Sequence, residues 1–573
     1  MKKFDITRVK AALIDMDGVL YDSMPYHARA WHEMLGEQGI KTDPDEFFLY
    51  EGMTGGATID LIFLRELGRQ ATDDEKKSLY ARKSELFTGY GRKELMPGAS
   101  NMLNAFRAAG IDTILVTGSA QGSLLQSLDN DYPGFFPKGK RVTALDVKNG
   151  KPHPEPYLKG IEKAGVATDE VIVIENAPLG VRAGKAAGCY TIAVTTGPIP
   201  REEFEKEGAD MIFSSMWEFA TWLSLMVGKD MAEKVDNAIS GLNPSGVVVV
   251  TDENVNNMVI PFFGASKWIS KAPKIIVEPG ENNKNIDSLC KIWETLSSSD
   301  VTRNGLVVNI GGGMVTDMGG FAAATFKRGI RYVNIPTTLL GATDAATGGK
   351  TAVNFMGLKN EIGAFHVPSE TLFFPHTLSS LPRRDLLAGY AEMVKAAMIA
   401  DSSLYKKLLD VESVLNDSSR LEQTVGDCVK IKEEIVALDP YEKGLRKVLN
   451  LGHTAGHAFE SFLLNHGREI RHGEAVAHGL LVALILSHLK LKLPSEEIWR
   501  YANEFLKTEF SRLPIDCSDI EELTALMAHD KKNERKGELK FVLLREIGSP
   551  LTDCTVSEEE LQEALELYCD IMG

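Results

Sequence analysis

Cysteine is scarce in this chain. Six residues in 573 are cysteines: Cys189, Cys290, Cys428, Cys517, Cys554 and Cys569. None forms a C-x-x-C pair, which argues against a disulfide framework and a cysteine-built zinc site and fits a reducing cytoplasm. Long apolar runs are missing too. No stretch reaches the roughly 18 to 20 residues that cross a bilayer, and the opening Met1-Lys2-Lys3-Phe4-Asp5-Ile6 lacks the apolar core of a secretory signal. Positive charge is in deficit: 63 Lys and Arg face 80 Asp and Glu, a formal net charge of −17. This balance disfavours nucleic acid or an anionic membrane as partner, while local basic pockets can still hold small anionic substrates. Internal repeats and low-complexity segments are absent. What remains is an ordinary globular composition, 44% hydrophobic and 25% charged, too long for a single core.

The hydrophobic pattern predicts an α/β protein. Ala11–Ile14, Thr113–Val116, Val171–Ile174 and Thr191–Val194 read as buried parallel strands. Residues 22–96 follow the first strand with a helical pattern, as a helical cap over the strand ends would. One or two amphipathic helices are expected between about 216 and 239. Asn243-Pro244-Ser245-Gly246 then breaks the chain ahead of Val247–Thr251. The domains are therefore placed at 1–226, with the cap at about 22–96, a helical linker at 227–242, a second α/β unit at 243–368 and a mainly helical region at 369–573. Within the last, Leu539–Leu544 reads as a strand.

Asp15 and Asp17 stand just past the first strand, at the carboxyl end where α/β sheets place their sites. Two carboxylates one residue apart suit a nucleophile and a general acid/base with a divalent cation between them. Alone, D-x-D is more often an acidic turn without chemistry. Its companions change the balance: Thr117-Gly118-Ser119 ends a second strand, Lys151 can neutralise a phosphate, and Glu175-Asn176 ends a third strand. This order resembles the haloacid dehalogenase superfamily over about residues 9–226. The resemblance implies a Rossmann-like domain under a helical cap, with Asp15 as nucleophile, Asp17 as general acid/base, and Thr117 and Lys151 on the phosphoryl group. It also implies Mg2+ held by Asp15, Asp17 and the fourth-motif acid, Glu175. Family members commonly read Glu-Asp where this chain reads Glu175-Asn176. The segment from Tyr26 to Trp31, with His27 within it, resembles the β-phosphoglucomutase branch. Gly52-Met53-Thr54-Gly55-Gly56, however, lacks the arginine that such mutases use on a second phosphate. A phosphatase acting on a small phosphorylated sugar or acid is the favoured expectation; a catalytically idle interaction module is the alternative.

Farther along, the strand-like Gly305–Ile310 leads into Gly311-Gly312-Gly313-Met314-Val315-Thr316-Asp317. A glycine turn after an apolar strand lets backbone N–H groups approach a phosphate, although the G-x-G-x-x-G spacing is absent and a tightly packed loop explains the glycines equally well. Glu392 and Lys395 are three apart and share a helix face, for which a surface ion pair is the plain reading. His453 and His457 are four apart on another face, and His472 follows in a His-Gly-Glu turn. Three imidazoles so placed favour a metal site.

These segments resemble the 3-dehydroquinate synthase branch of the sugar-phosphate cyclase family over about residues 243–573. The resemblance implies an NAD-binding α/β part and a helical metal and substrate part, with Zn2+ (or Co2+) on Glu392, His453 and His472. It places NAD on Asp252, Asn254, Glu281, Lys284, Gly312, Gly313, Met314, Asp317, Thr337, Thr338 and Lys359. Substrate contacts fall on Arg328, Asp344, Lys350, Asn360, Lys395, Lys432, Arg446, Asn450 and a lysine of the 530–533 segment, taken as Lys532, while Glu442 and His457 take proton-accepting positions. The implied reaction converts 3-deoxy-D-arabino-heptulosonate 7-phosphate to 3-dehydroquinate in the shikimate pathway. The branch often reads Val-Asp-Ser-Ser-Val-Gly-Gly-Lys where this chain reads Thr343-Asp344-Ala345-Ala346-Thr347-Gly348-Gly349-Lys350, and Ala388 stands where some members carry an asparagine. Valiolone or deoxy-inosose synthases are the alternative within the family. A lyase fused to a phosphatase-like unit, cytoplasmic and homodimeric through its cyclase part, is the expectation carried into the structure.

Overall fold

The structure is a computed structural model that describes residues 4–91, 93–118, 122–356, 358–440, 442, 444–528 and 539–573. Ser119, Lys531 and Lys532 lie outside the described residues. The chain forms two compact units, Met1–Asp230 and Met231–Gly573.

Six parallel strands build the first unit: β1 (Ala11–Ile14), β2 (Asp112–Val116), β3 (Arg141–Val142), β4 (Val171–Glu175), β5 (Tyr190–Val194) and β6 (Met211–Phe213). Their order is β3-β2-β1-β4-β5-β6. The chain leaves β1 toward β2 on one side and reaches β4 on the other, so a crevice opens at the carboxyl ends of β1, β2 and β4. β1 and β4 are buried along their whole length, which is why their sequences are unbroken apolar runs. The helical insertion expected after β1 consists of helices Met24–Glu37, Gly55–Leu67 and Asp73–Gly89. Its Trp31, Met34, Phe47, Ile59 and Leu79 are buried in one cluster with Val181, Ala193, Ile199 and Phe204 of the sheet part. Thr72 and Glu75 close a reciprocal cap on its third helix, worth about 1 kcal/mol. Entry and exit run side by side: the Asp22 N–H donates to the Glu94 carbonyl at 3.0 Å and the Met96 N–H to the Leu20 carbonyl at 2.9 Å.

The second unit opens with helix Lys229–Leu242, whose Asp236 accepts hydrogen bonds from Ser266 Oγ at 2.6 Å and the Lys267 N–H at 2.9 Å. A parallel sheet follows: β7 (Val247–Asp252), β8 (Lys274–Val277), β9 (Leu306–Gly311), β10 (Arg331–Pro336) and, after an antiparallel hairpin of β11 (Lys350–Phe355) and β12 (Leu358–Phe365), β13 (Glu370–Thr371). The order is β13-β10-β9-β7-β8. Helices dominate thereafter. Helix His472–Leu491 is long and apolar enough, by length and composition, to cross a membrane. This differs from the expectation of no such run. Residues 473 and 475–487 of it are all buried, and a helix apolar on every side is a core helix when protein surrounds it. The expected strand at 539–544 is β14 (Leu539–Glu546), paired antiparallel with β15 (Ser549–Val556).

Candidate active sites

In the first unit, parallel strand ends deliver one side chain each to a common point. Lys151 is buried and reaches the Asp15 carboxylate, Glu175 Oε1 at 2.5 Å and the Val116 carbonyl at 3.2 Å. Burial pulls the Lys151 pKa down, but Asp15 and Glu175 raise it overall. Removing one partner of such a buried group leaves the other uncompensated, at about 3–5 kcal/mol. Asp17 accepts from Ser23 Oγ at 2.6 Å and from His27 Nε2 at 3.0 Å. A carboxylate can only accept, so His27 donates from Nε2 and takes the Lys83 Nζ hydrogen bond, 2.5 Å long, at Nδ1. Burial opposes ionisation of Asp17, yet His27 and Ser23 hold its pKa below the usual value. Burial alone lowers that of Lys83 to about 7. Thr117 is buried at the end of β2 and lines the same cavity, of about 60 Å³, as Asp15, Asp17, His27, Lys83 and the rings of Trp31, Phe47 and Tyr80.

Glu51 was not anticipated. It sits in the helical insertion, buried, and its two carboxylate oxygens accept from Asn176 Nδ2 at 3.1 Å each. Burial, then Asp15, Glu175 and Asp17, raise its pKa well above the carboxylate range. Four buried carboxylates thus meet with one lysine between them and a second behind His27, and the Asn176 Oδ1 atom is buried with no hydrogen-bond partner. Crowded carboxyl groups that resist ionising together, beside an orphaned amide oxygen, fit a divalent cation that would let them ionise. Glu175 itself is engaged: beyond Lys151 it accepts from the Tyr157 hydroxyl and the N–H groups of Asn176 and Ala177. A Cβ at Gly55 would lie 2.1 Å from the Tyr80 ring, so no larger side chain fits that position.

In the second unit, Glu392, His453 and His472 converge, with one ligand atom from each within 4.8 Å of the others. Glu392 Oε1 is buried with no hydrogen-bond partner and lies 3.7 Å from His453 Nε2 and 3.9 Å from His472 Nε2. An orphaned carboxylate oxygen facing two imidazole nitrogens fits a zinc-like ion. The plain reading of Glu392 and Lys395 as a surface pair is corrected: both are buried and paired with each other. His457 stands beside the cluster, its ring centre 5.4 Å from that of His453 and 5.7 Å from that of His472. The helices bearing these ligands touch backbone to backbone. A Cβ at Gly473 would lie 1.9 Å from the Ala388 carbonyl oxygen, and one at Gly479 would lie 2.1 Å from that of Gly452.

Beside the cluster, a cavity of about 460 Å³ is lined by Asp317, Asp344, Lys350, Asn360, Lys395, Lys432, Glu442, Arg446, Asn450 and His453, among others. Lys350 pairs with Glu442, whose other oxygen accepts from Asn450 Nδ2 at 3.1 Å. Burial resists, but Lys350 keeps the Glu442 pKa below the usual value. Lys432 does the same for Asp344 against a strong burial effect. Asn360 and Glu442 hold left-handed backbone conformations, φ 54° and 56°, a conformation unusual for glutamate and concentrated at functional sites.

The expected NAD positions lie around the carboxyl ends of β7, β8, β9 and β10 and on β12. Gly312 caps helix Gly313–Thr325, and a Cβ there would lie 2.9 Å from Thr338 Cγ2. Glycine is therefore needed for close approach as well as for any ligand. Thr337 donates its N–H to the Gly311 carbonyl at 3.0 Å. Lys284 Nζ bridges Asp317 and Asn360, at 2.6 Å to each. Burial raises the Asp317 pKa to about 6 despite Lys284. Asp252 caps the helix after β7 through the Val255 N–H, Asn254 and Glu281 are exposed, Met314 is partly buried, and Lys359 pairs with Glu460 at 2.8 Å. Arg328 is the outlier of the set. It is exposed on the 326–328 turn with φ 71° and does not line the cavity. Glu460 was not anticipated either, although it shares a helix face with His453 and His457 at spacings of seven and three.

Comparison with known proteins agrees with this geometry. Residues 274–388 and 389–533 match the N-terminal and C-terminal family models of 3-dehydroquinate synthase, and residues 9–188 match that of haloacid dehalogenase-like hydrolases. A 3-dehydroquinate synthase of Parabacteroides distasonis is 41% identical over 349 residues, spanning 61% of this chain and 98% of that relative. A solved 2-deoxy-scyllo-inosose synthase, complexed with carbaglucose-6-phosphate, NAD+ and Co2+, is 26% identical with a TM-score of 0.51, covering 59% of this chain and 94% of its own. A Bacteroides vulgatus structure titled as a candidate β-phosphoglucomutase is 45% identical, covering 38% of this chain and 90% of its own, with a TM-score of 0.37. With metal-type cluster, cationic cavity and aspartate site all in place, the chain belongs to the 3-dehydroquinate synthase family and joins to it a haloacid dehalogenase-like hydrolase unit, a fused bifunctional enzyme.

Proposed function

We propose that the second unit converts 3-deoxy-D-arabino-heptulosonate 7-phosphate to 3-dehydroquinate and phosphate, and that the first hydrolyses a small phosphorylated sugar or acid. The observation that carries the cyclase assignment is the gathering of Lys350, Lys395, Lys432 and Arg446 around one cavity beside Glu392, His453 and His472. That substrate has a carboxylate and a phosphate, and two anionic ends match four cations better than the single phosphate of a neutral sugar phosphate. Glu392, His453 and His472 would hold Zn2+ or Co2+, which would supply Lewis acidity at a substrate hydroxyl, and the residues at the ends of β7, β8, β9 and β10 would hold NAD+, which would supply a reversible hydride acceptor. Glu442, kept ionised by Lys350 and oriented by Asn450, is placed to accept a proton. His457, next to the cluster, is a second proton acceptor. Turnover of the heptulosonate phosphate against sedoheptulose 7-phosphate, with NAD+ and Zn2+ supplied, tests the assignment; comparable efficiency on both would refute it.

In the first unit, an Asp15 carboxylate oxygen bonds to phosphorus as the bond to the leaving alkoxide breaks. Lys151 and Thr117 hold the phosphoryl oxygens. Asp17 gives its proton to the leaving oxygen and then, as the carboxylate that His27 and Ser23 stabilise, takes a proton from the water that cleaves the aspartyl-phosphate, which resets it. Mg2+ would sit with Asp15, the Asp17 carbonyl and Asn176, with Glu51 returning the negative charge that Asn176 lacks. Glu175, saturated by Lys151, Tyr157 and main-chain donors, orients the lysine instead. A Mg2+-dependent phosphoester screen of the intact chain checks this half.

A further inference from the structure

Glu460 lies on helix His453–Asn465, seven residues beyond one expected metal ligand, and its side chain is only 13% exposed. Its Oε2 is 3.1 Å from Nδ1 of His472, and its Oε1 is 2.8 Å from Nζ of Lys359 on β12. An ionised carboxylate has no proton to give, so the imidazole donates from Nδ1 and keeps its lone pair on Nε2, the atom that faces Glu392. His453 is arranged alike: its Nδ1 lies 3.2 Å from the Leu451 carbonyl, an obligate acceptor, and its Nε2 faces Glu392. One histidine is thus oriented by main chain and the other by a carboxylate. The same carboxylate also grips the β11–β12 hairpin, which brings Lys350 and Asn360 to the cavity.

We propose that Glu460 is a positioning residue of the cyclase site: it fixes the tautomer and ring plane of His472 and, through Lys359, locks the hairpin against the metal-bearing helices. The proposal rests on the reading of Glu392, His453 and His472 as metal ligands. Outer-shell partners of this kind change metal affinity by about 10–100-fold when lost. A purely structural ion pair would not move metal affinity or ligand-field absorption.

The test uses the full chain stripped of metal, with Co2+ as the probe. Parent, E460Q, E460A, K359M and H472A are titrated in competition with a chelator, and the visible absorption of the Co2+ form is recorded. E460A is expected to bind Co2+ about 10–100-fold more weakly, with shifted absorption bands. E460Q keeps an acceptor oxygen without the charge and should fall between E460A and the parent. K359M should leave Co2+ affinity within about threefold while raising the dissociation constant for NAD+, as E460A also does. Co2+ affinity within twofold of the parent, with unchanged bands, in whichever Glu460 variant folds would overturn the proposal, provided that the parent binds Co2+ and H472A does not. A parent that fails to bind Co2+ would instead overturn the metal reading beneath it.

Discussion

In the first unit Asp15 and Glu175 pair with Lys151, Lys83 stands behind His27, and Asp15, Asp17 and Glu51 border a cavity of about 60 Å³. In the second, Lys350, Lys395, Lys432 and Arg446 face Asp317, Asp344 and Glu442 across about 460 Å³. The first site holds more carboxyl groups than its cations balance. In the second, three of the four cations are each paired with a carboxylate: Lys350 with Glu442, Lys395 with Glu392 and Lys432 with Asp344. The two sites therefore differ in charge balance: the first has more carboxyl groups than cations, which suits the proposed divalent cation, and the second pairs them nearly one to one.

The sharpest break of this comparison is at His472. Changing it to Ala should lower cyclase turnover by at least ~10³-fold and strip the metal, because several kcal/mol of transition-state stabilisation go with the ion, while phosphoester hydrolysis by the first unit stays. Paired assays of both activities check it. Asp15→Asn is the mirror experiment: hydrolysis should be lost and the cyclase kept, since distant substitutions act independently. Loss of both activities in a well-folded variant would show that the sites are coupled. The proposed substrate predicts at least about a hundredfold preference for the heptulosonate phosphate over sedoheptulose 7-phosphate, because the latter lacks the carboxylate that the cavity's cations would bind. Steady-state kinetics on both substrates measure it. Cofactor use sharpens the second site further: no NADH absorbance should accumulate during turnover, and stoichiometric build-up would mark an ordinary dehydrogenase.

The smallest expected effect lies in the cap. Lys83 has its folded pKa lowered by burial to about 7 from 10.5. Between those values the unfolded chain binds more protons than the folded one, so stability rises with pH across that window and the penalty is full below it. Urea midpoints of the parent should climb from pH 7 to 9, and those of K83M should climb less. Parallel slopes would place the Lys83 pKa elsewhere.

The elements legible in the sequence were those with one unambiguous physical cause. β1, β4 and β7 open on unbroken apolar runs of four residues, and β9 departs from one only at Asn309, because both faces are covered. β3 has two residues and β13 two, too short for any pattern. β12 is mostly exposed, and its Lys359, Asn360 and Glu361 read as loop. β15 carries Pro550 and a largely exposed face. Site residues at strand ends were equally legible, since topology gathers parallel strand ends at one edge. Glu51 escaped because its partner, Asn176, is 125 residues away. Glu460 left a trace in its helical spacing from His453, but nothing in the sequence said that His472 would fold back onto it. Arg328 was placed by resemblance alone, and its exposed turn lies outside the cavity lining.

The close contacts at Gly473 and Gly479 have a mechanical consequence. With main chain against main chain, these helices cannot slide or rotate without steric collision, so the scaffold would set the proposed metal position before any ion arrives. Demetallation should then be a reversible emptying rather than a loosening. A chelated sample should keep its melting behaviour apart from the shift due to ligand binding itself, and should regain activity on adding metal without refolding. Alanine at Gly473, which would collide with the Ala388 carbonyl, should turn that rigid template into one that must be remade each time.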